Sequence, residues 1–390
     1  MSLVISLGNK KIGAGEPVFI IAEAGVNHNG KLALAKKLID AAAKAGADAV
    51  KFQTFSPDEL VTKNAAKAEY QVSSEGRRER FLLPKTRLAA KRAAAFPPHQ
   101  SRLGTGHALR KGEPKAGESQ YEMLKRLMLP RAWHQTLKRH AEKKGLVFLS
   151  TPFSLDDALF LKRLGVSAIK VSSSDANNLP YLRRIARWRL PILLSTGMAD
   201  LKEVRESVAV IRRAGHRVLA LLQCTTNYPT PFPEVNLRAI QTLQKEFAVP
   251  VGFSDHTTGS EAAVAAVALG ACVIEKHLTL DKDMSGPDHK ASLEPRELSD
   301  FVRRIRHVEQ ALGSGKRAPF ESERAIARAA RKSIAALRDV KKGERFTEKN
   351  LGIKRPGTGL PPKYYETLVG KRAARDIPAD ALLTRHDYIA

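Results

Sequence analysis

Short apolar segments rich in Val, Ile and Leu alternate along the chain with longer segments in which apolar residues recur at helical spacing. Such alternation predicts repeated strand–helix units and a parallel sheet. The nearly continuous hydrophobicity of the short segments indicates strands that are buried on both faces. Eight strand–helix units are the number in a closed (β/α)₈ TIM barrel. The eight predicted strands are residues 18–24, 48–54, 146–151, 167–173, 190–196, 217–224, 249–255 and 271–277.

An open, doubly wound α/β sheet is the alternative fold. Proteins with that fold commonly carry a glycine-rich dinucleotide-binding turn directly after their first strand. The sequence has no such turn after residues 18–24. It therefore favours the barrel, which we expect to occupy residues 1–312.

The rest of the chain differs in character from the barrel segments. Residues 313–328 combine Gly, Ser and Pro with charged residues, which predicts a linker. Residues 329–390 contain short strand-like segments between Gly and Pro turns, which predicts a small second domain. Residues 72–117 hold eleven Lys or Arg against three Glu and show no clear period. We expect an irregular basic insertion there, either disordered or acting as a lid or docking loop.

The charge balance is strongly basic, with 66 Lys and Arg against 40 Asp and Glu and a formal net charge of +26. Such a balance is typical of nucleic-acid-binding proteins. The sequence contains no RNA-binding, zinc-finger or helix-turn-helix signature, so we do not expect nucleic acid as a partner. A basic surface that recruits anionic substrates is the favoured interpretation.

The cysteines and the hydropathy of the chain indicate in which cellular compartment we expect the protein. The two cysteines, Cys224 and Cys272, lie in apolar strand-like segments, which predicts a reducing cytoplasm and no disulfide framework. No run of eighteen apolar residues occurs, so we expect no membrane span.

Polar residues follow the apolar core of every predicted strand, and in a parallel barrel these carboxyl ends converge on one site. Lys51 and Lys170 lie among apolar residues, where an unpaired cation is costly to bury. A phosphate or carboxylate ligand would supply the partner, and a structural carboxylate such as Glu23 or Glu275 is the alternative. Hydroxyl groups that could support the same anion belong to Thr151, Ser173 and Ser195.

Two histidines end the seventh and eighth predicted strands, which are neighbours in a barrel. His256 and His277 could therefore share one metal ion, although a strand-end histidine can also be a hydrogen-bonded structural residue. Two imidazoles are too few for a closed structural site and leave positions for water and substrate. We expect an exchangeable Mn²⁺, with Mg²⁺ as the alternative.

Ordered motifs along the chain resemble the sialic acid (N-acetylneuraminate) synthase family. They are IAEAGVNHNG, ADAVKFQTF, STPFS, IKVSSSDANNLP, LSTGM, LLQCTTNYPTP, GFSDHT, IEKHLTLDK and GPDHKASLEP. The segment VKKGERFTEKNLGIKRPGTG resembles the antifreeze-like (SAF, β-clip) domain found at the carboxyl end of that family. The resemblance implies a TIM barrel followed by such a domain.

The same resemblance implies a metal-dependent transferase. It would condense phosphoenolpyruvate with N-acetylmannosamine and water, and would release N-acetylneuraminate and phosphate by C–O cleavage. The alternative acceptor is a diacetamido hexose, which would give legionaminate or a related nonulosonic acid. The resemblance also implies a domain-swapped homodimer in which Arg355 reaches into the partner's barrel to contact the sugar.

The family's residue roles carry over to matching positions of this sequence. Glu23 and Asp175 would be catalytic, and His256 and His277 would hold the metal. Phosphoenolpyruvate would be bound by Lys51, Thr151, Lys170, Ser173 and Ser195. The sugar would contact Asp175, Tyr228, Asp288 and Arg355.

Two other classes of function remain open from the residues alone. One is a barrel aldolase or lyase that forms a Schiff base through Lys51 or Lys170. The other is a non-catalytic protein that binds anions or nucleic acid through its basic surface.

Overall fold

The computed structural model describes residues 4–67, 71 and 118–389. Eight parallel strands of the described chain form one sheet. They are β3 Phe19–Gly25, β4 Ala49–Thr54, β5 Val147–Pro152, β6 Ile169–Val171, β7 Ile192–Ser195, β8 Leu219–Cys224, β9 Val251–Asp255 and β10 Val273–His277. Their order in the sheet is β5-β4-β3-β10-β9-β8-β7-β6. The two end strands, β5 and β6, lie beside each other and close the sheet, so the predicted TIM barrel is confirmed.

Side chains alternate across the barrel wall, as the period of a strand requires. One set fills the interior and includes Ile21, Leu149 and Leu222. The other set packs outward against the helices and includes Phe148 and Leu221. Because both sets are apolar, the strands appear in the sequence as continuous hydrophobic segments.

A short antiparallel hairpin precedes the barrel and was not predicted. Its strands are β1 Ile5–Leu7 and β2 Lys10–Ile12, joined through Gly8 at φ +61°. Ile5 and Ile12 pack in the same cluster as the interior barrel residues, including Phe19 from the start of β3. The hairpin therefore closes the amino-terminal end of the barrel, opposite the predicted site.

Amphipathic helices surround the described barrel strands. Several begin at residues that cap the free backbone N–H groups: Asp200 and Glu203 form a reciprocal capping box, and Ser154 accepts from the Asp157 backbone. The helices are Leu32–Ala45, Pro57–Leu60, Gln120–Leu127, Arg131–Lys143, Leu155–Leu164, Leu179–Ala186, Leu201–Arg213, Arg238–Phe247, Glu261–Ala268 and Pro295–Leu312. No helix within the described ranges is both long and apolar enough to cross a membrane.

The chain divides into two compact units between Gly313 and Ser314. The second unit contains antiparallel strand pairs around a small core that includes Ile334, Phe346 and Leu383. Its strands are β11 Ser333–Ala336, β12 Leu351–Lys354, β13 Arg372–Ala373 and β14 Tyr388–Ile389.

The segment predicted as a linker, residues 313–328, is only partly irregular. A helix occupies Glu321–Ala330, and the Gly, Ser and Pro residues precede it. Ala, Glu and Arg, which dominate this helix, are strong helix formers. The Glu323 carboxylate also accepts from the Phe320 backbone N–H at 2.9 Å. The basic stretch 72–117 lies outside the described residues.

Candidate active site

A cavity of about 340 Å³ opens at the carboxyl ends of the barrel strands. Its volume lies within the range of small-molecule sites. Ten of the residues singled out from the sequence line it: Glu23, Lys51, Thr151, Lys170, Ser173, Ser195, Tyr228, His256, His277 and Asp288. These polar residues from different strands therefore come together around one cavity in the folded chain.

Not every polar residue at these strand ends faces the cavity. On β10, Glu275 and His277 line the cavity, whereas Lys276 lies between them and points to the other side of the barrel wall. The Lys276 ammonium pairs with Asp255 at 2.9 Å, and both side chains are fully buried. Lys276 also lies over the ring of Phe301, which belongs to helix Pro295–Leu312. This ion pair is structural, because it fastens the strands to an outer helix.

Two lysines and two glutamates form a buried cluster at the floor of the cavity. Lys51 Nζ lies 2.7 Å from Glu23 Oε2 and 3.7 Å from Glu275 Oε2. Lys170 Nζ lies 3.8 Å from Glu275 Oε1 and donates to Ser195 Oγ at 2.6 Å. The lysines are thus paired with carboxylates, which is the alternative that the sequence left open.

The protonation balance of this cluster still favours an anionic ligand. Burial raises the pKa of Glu23 to about 7, with Lys51 opposing the shift and Glu275 adding to it. Burial opposes ionisation of Glu275 as well, but Lys170 and Lys51 together hold its pKa below the usual value. Near pH 7, Glu23 is therefore partly protonated. Burial opposes the charge of Lys51, but Glu23 and Glu275 together raise its pKa, whereas burial lowers the pKa of Lys170. Lys51 is thus a cation that Glu23 neutralises only in part, which favours an anionic ligand.

Hydroxyl groups surround the same floor. Lys51 donates to Thr151 Oγ1 at 3.0 Å, and Ser254 donates to Glu275 Oε1 at 3.0 Å. Ser173 Oγ accepts from the Gly197 backbone N–H at 3.0 Å. A side chain at residue 197 would collide with Thr226 and Ser173, so glycine allows this close approach. These contacts fix the donors before any ligand binds.

His256 and His277 lie next to each other, with ring centroids 5.4 Å apart. His256 Nδ1 donates to the Thr225 carbonyl at 2.7 Å, which leaves the Nε2 lone pair available. Burial, and then His256, lower the pKa of His277 well below its usual value, so this imidazole is neutral. His277 Nδ1 is buried and has no hydrogen-bond partner among the described residues.

These features fit a divalent cation with an incomplete protein shell. Imidazole nitrogens suit a first-row divalent metal, and the orphaned buried nitrogen of His277 is costly without a ligand. Within residues 4–67, 71 and 118–389 no group of three His, Cys, Asp or Glu is arranged to hold an ion. Water and substrate would have to complete the coordination.

The loop after β10 carries Asp288 and is fastened by the loop after β3. Asn27 Nδ2 donates to the Leu278 carbonyl and to Ser292 Oγ, both at 2.9 Å. Ser292 in turn donates to the Asp288 carbonyl at 2.6 Å. Burial raises the pKa of the Asp288 carboxyl to about 6. The first and last barrel strands thus jointly position this side chain at the mouth.

Two predicted site residues, Asp175 and Arg355, are not among the ten that line the cavity. Asp175 does not line the cavity: its carboxylate accepts from Ser172 and Asn178 of its own turn, each at 3.1 Å. Each carboxylate oxygen can accept more than one hydrogen bond, so these contacts leave room for a substrate donor. The catalytic and sugar-binding roles expected for Asp175 stay predictions. Arg355 is exposed in the second unit after β12, and its role in a partner's barrel stays a prediction.

The structure gives one lining residue a larger part and adds others that the sequence did not single out. Glu275, considered from the sequence only as a possible partner of one lysine, bridges both Lys51 and Lys170. Its position two residues before His277 on the same strand was the signal that it faces the cavity. An apolar side of the cavity is formed by Leu60, Val61, Met123, Leu124 and Leu127. These residues come from short helices beside the barrel, so no strand pattern could identify them.

Two family models match the chain. The NeuB family model matches residues 38–96 and 99–317, and the SAF domain model matches residues 331–389. The first match runs through most of the stretch 72–117, for which the sequence predicts an insertion. The two matches together reproduce the order of barrel and second unit.

Individual relatives agree with these matches. The N,N'-diacetyllegionaminic acid synthase of Campylobacter jejuni is 44% identical over 366 residues, covering 93% of this chain and 98% of that protein. The Legionella pneumophila protein of the same name is 41% identical over 380 residues, covering 96% of each. The crystal structure of N-acetylneuraminic acid synthetase from Leptospira borgpetersenii superposes with a TM-score of 0.66 at 33% identity, covering 84% of this chain and 95% of that chain. Barrel, cavity and these likenesses agree that the chain belongs to the NeuB family, with a SAF domain over residues 331–389.

Proposed function

We propose that the protein condenses phosphoenolpyruvate with an N-acylated hexose to form a nonulosonic acid and phosphate. The observation that carries the proposal is the buried Lys51–Glu23–Glu275–Lys170 cluster beside His256 and His277 in one cavity. The cluster can hold a small polyanion, and the histidines lie where an aldehyde oxygen could be polarised.

The acceptor favoured by the relatives is a diacetamido hexose. The two proteins that are 41–44% identical are both named for N,N'-diacetyllegionaminic acid. The sequence alone favoured N-acetylmannosamine, because its motifs resemble the sialic acid (N-acetylneuraminate) synthase family. We therefore propose a synthase of the legionaminate type, and N-acetylmannosamine becomes the alternative acceptor.

Phosphoenolpyruvate would bind at the floor of the cavity. Its phosphate and carboxylate would replace part of the Glu23 and Glu275 interactions with Lys51 and Lys170. Thr151 and Ser195 already contact these ammonium groups and would donate to the same oxygens. Such preformed donors stabilise the transition state without a reorganisation cost at the moment of reaction.

The reaction then proceeds at the two substrate carbons. The methylene carbon of phosphoenolpyruvate forms a bond to the aldehyde carbon, and the aldehyde oxygen takes up a proton from solvent water. Positive charge develops at C2, and water adds there while one of its protons passes to Glu23. Phosphate leaves with the electron pair of its C2–O bond while the C2 hydroxyl gives its proton to the departing phosphate, which generates the 2-keto acid. A carboxyl whose pKa is about 7 is suited to accept this proton near neutral pH.

The proposed function includes a divalent metal ion bound beside the substrates. His256 and His277 would hold Mn²⁺ or Mg²⁺, which supplies Lewis-acid polarisation of the aldehyde oxygen when bound. Asp288 Oδ2 lies 3.9 Å from His277 Nδ1 and would orient the acceptor or its bound water.

The direct test measures inorganic phosphate release from phosphoenolpyruvate. We expect release with Mn²⁺ only when an N-acylated hexose is added, and a nonulosonic acid in equal amount by mass spectrometry. Borohydride with pyruvate should trap no covalent adduct, because Lys51 and Lys170 are engaged by carboxylates. Absence of acceptor-dependent release with either class of sugar, or an imine on either lysine, would contradict the proposal.

Removal of the metal gives a second prediction. EDTA should abolish phosphate release and Mn²⁺ should restore it, whereas His277→Ala should remain inactive at every Mn²⁺ concentration. The variant should also lose high-affinity Mn²⁺ binding in calorimetry, a measurement independent of turnover. His307→Ala, an exposed change on an outer helix, is the matched control. Turnover that persists in EDTA would refute the metal role.

A further inference from the structure

Two adjoining clefts on the outer face of the barrel, on either side of helix Leu179–Ala186, are not used by the proposed condensation. The first has a volume of about 610 Å³ and the second about 340 Å³, sizes typical of small-molecule sites. Arg183 and Arg187 line both clefts, so the two are continuous at these side chains. We call them the arginine clefts, after the four arginines that line them: Arg183, Arg184, Arg187 and Arg213.

These four arginines have no acidic partner. None of the residues that line the arginine clefts is Asp or Glu. Within residues 4–67, 71 and 118–389, the guanidinium groups of the four make no ion pair and no hydrogen bond. Arg183 and Arg187 are four positions apart at the end of one helix, where two like charges disfavour each other. An anionic ligand would supply the missing partner.

The surplus of basic residues explains why some arginines are unpaired, but not where these four lie. With a net charge of +26, many cations must lack a partner. The carboxyl end of a helix also favours a cation, which accounts for an arginine in the last turn of each helix. On other outer helices, Arg131, Arg205 and Arg306 each pair with a carboxylate. Neither explanation places four guanidinium groups around one concave surface that has no acidic residue.

The first cleft also has an apolar side and an unsatisfied hydroxyl. Leu155, Pro180 and Tyr181 line it together with the arginines. Tyr181 is 6% exposed, and its hydroxyl is buried without a hydrogen-bond partner among the described residues. Such a hydroxyl is costly, and a ligand acceptor that reached it would remove the cost. The cleft therefore suits a molecule with several negative charges on one part and an apolar surface on another.

The chemistry of the guanidinium group favours phosphate as the source of the negative charge. Its planar fork of donors matches two phosphate oxygens and stays charged at physiological pH. Arg183 and Arg187 are about 6 Å apart along the helix axis, from a rise of 1.5 Å per residue. A single phosphate group occupies one such fork, whereas a chain of linked phosphates can contact several.

We infer that the arginine clefts are a second anion-binding site, which takes a small molecule with a chain of linked phosphate groups. That chain is either an inorganic oligophosphate or the oligophosphate part of a nucleotide, whose nucleoside would then lie on the apolar side of the first cleft. The site goes beyond the proposed condensation and shares no lining residue with the active-site cavity. A concave site of this size favours a small molecule over a nucleic-acid chain.

Isothermal titration calorimetry of the full-length protein tests the site with two probes, sodium tripolyphosphate and ATP. No divalent metal is added, because both probes chelate such ions. We expect both probes to bind, and their affinity to fall as the salt concentration rises. Equal affinities would identify the phosphate chain as the whole ligand, and tighter binding of ATP would identify a nucleotide.

A double variant tests where the probes bind. Arg183→Gln/Arg187→Gln removes the two side chains that both clefts share, and it should bind each probe at least about tenfold more weakly, because a lost hydrogen bond to a charged group costs about that factor. The matched control, Arg303→Gln/Arg324→Gln, removes two exposed arginines that pair with carboxylates and should bind as the native protein does. Thermal unfolding checks that both double variants are folded.

Four results would overturn the inference. They are no binding of either probe, native affinity in Arg183→Gln/Arg187→Gln, an equal loss of affinity in the control variant, and tighter binding of a short DNA duplex through the same two arginines. The third would show a general effect of net charge, and the fourth a nucleic-acid surface. Phosphate release from phosphoenolpyruvate does not enter these measurements, so the proposed function and this inference can fail separately.

Discussion

Glu23→Gln should lower kcat by about 10²–10⁴-fold, the usual contribution of a general acid or base, while leaving the fold intact. The glutamine is isosteric, so it can still contact Lys51, which lies 2.7 Å from the native carboxylate. An amide cannot take the proton of the water that adds to C2. Stopped assays of phosphate release at saturating substrates measure the loss, and circular dichroism and thermal unfolding verify the structure.

The pH dependence gives the same prediction a second readout. Because burial raises the pKa of Glu23 to about 7, the reactive carboxylate is progressively protonated below that pH. The kcat/KM of the native protein should fall as the pH decreases through about 7, and the residual activity of Glu23→Gln should lack this limb. Glu142→Gln, on an exposed surface pair with Lys138, is the control and should keep both rate and profile. More than a tenth of native turnover in Glu23→Gln would refute the assignment.

Asp255→Asn should destabilise the barrel by about 3–5 kcal/mol, the usual result of removing one partner from a buried ion pair. The substitution keeps the size of the side chain, and its single amide oxygen can accept both hydrogen bonds that Thr257 donates to Asp255 Oδ1 through its backbone and its hydroxyl. It leaves the Lys276 ammonium fully buried without a counter-charge. Burial already lowers the pKa of Lys276, and Asp255 is the largest opposing influence. Chemical denaturation measures the change in the free energy of unfolding.

A double variant separates lost charge from lost packing. Adding Lys276→Met to Asp255→Asn removes the stranded cation, so much of the stability should return. Asp300→Asn breaks an exposed pair with Arg303 and should change the unfolding midpoint little. A double variant as unstable as Asp255→Asn alone would show that the buried charge is not the cause.

Glu23 lines the cavity and Asp255 does not, and the sequence alone could not separate these two roles. Polar residues at strand ends are visible in the sequence, and Asp255 and Lys276 belong to that set as fully as His256 and His277. Alternation along a strand separates neighbours into two faces. Only the closed sheet decides which of the two faces lines the cavity. In the closed barrel Lys276 points outward and lies over the ring of Phe301.

Asp175 and the apolar side of the cavity illustrate the same limit in other ways. Motif position suggested that Asp175 acts on substrate, and only the folded turn shows that its carboxylate accepts from Ser172 and Asn178. Leu60 and Leu124 carry no sign in the sequence that they line a cavity. Their exposure to the cavity depends on how two short helices, 60 positions apart along the chain, pack beside the barrel mouth.

The sequence by itself determined the eight strands, the small second domain after the barrel, and ten of the residues that line the site. The strands and the polar residues at their ends follow from local periodicity, which is a property of neighbouring residues. Tyr228, Asp288 and the SAF character of the second domain followed from the resemblance of motifs. Only the tertiary structure decided that Glu275 bridges Lys51 and Lys170, that Asp255 and Lys276 are structural, and that one side of the cavity is apolar. Those facts depend on contacts between residues distant in the chain, and such contacts exist only once the barrel has closed.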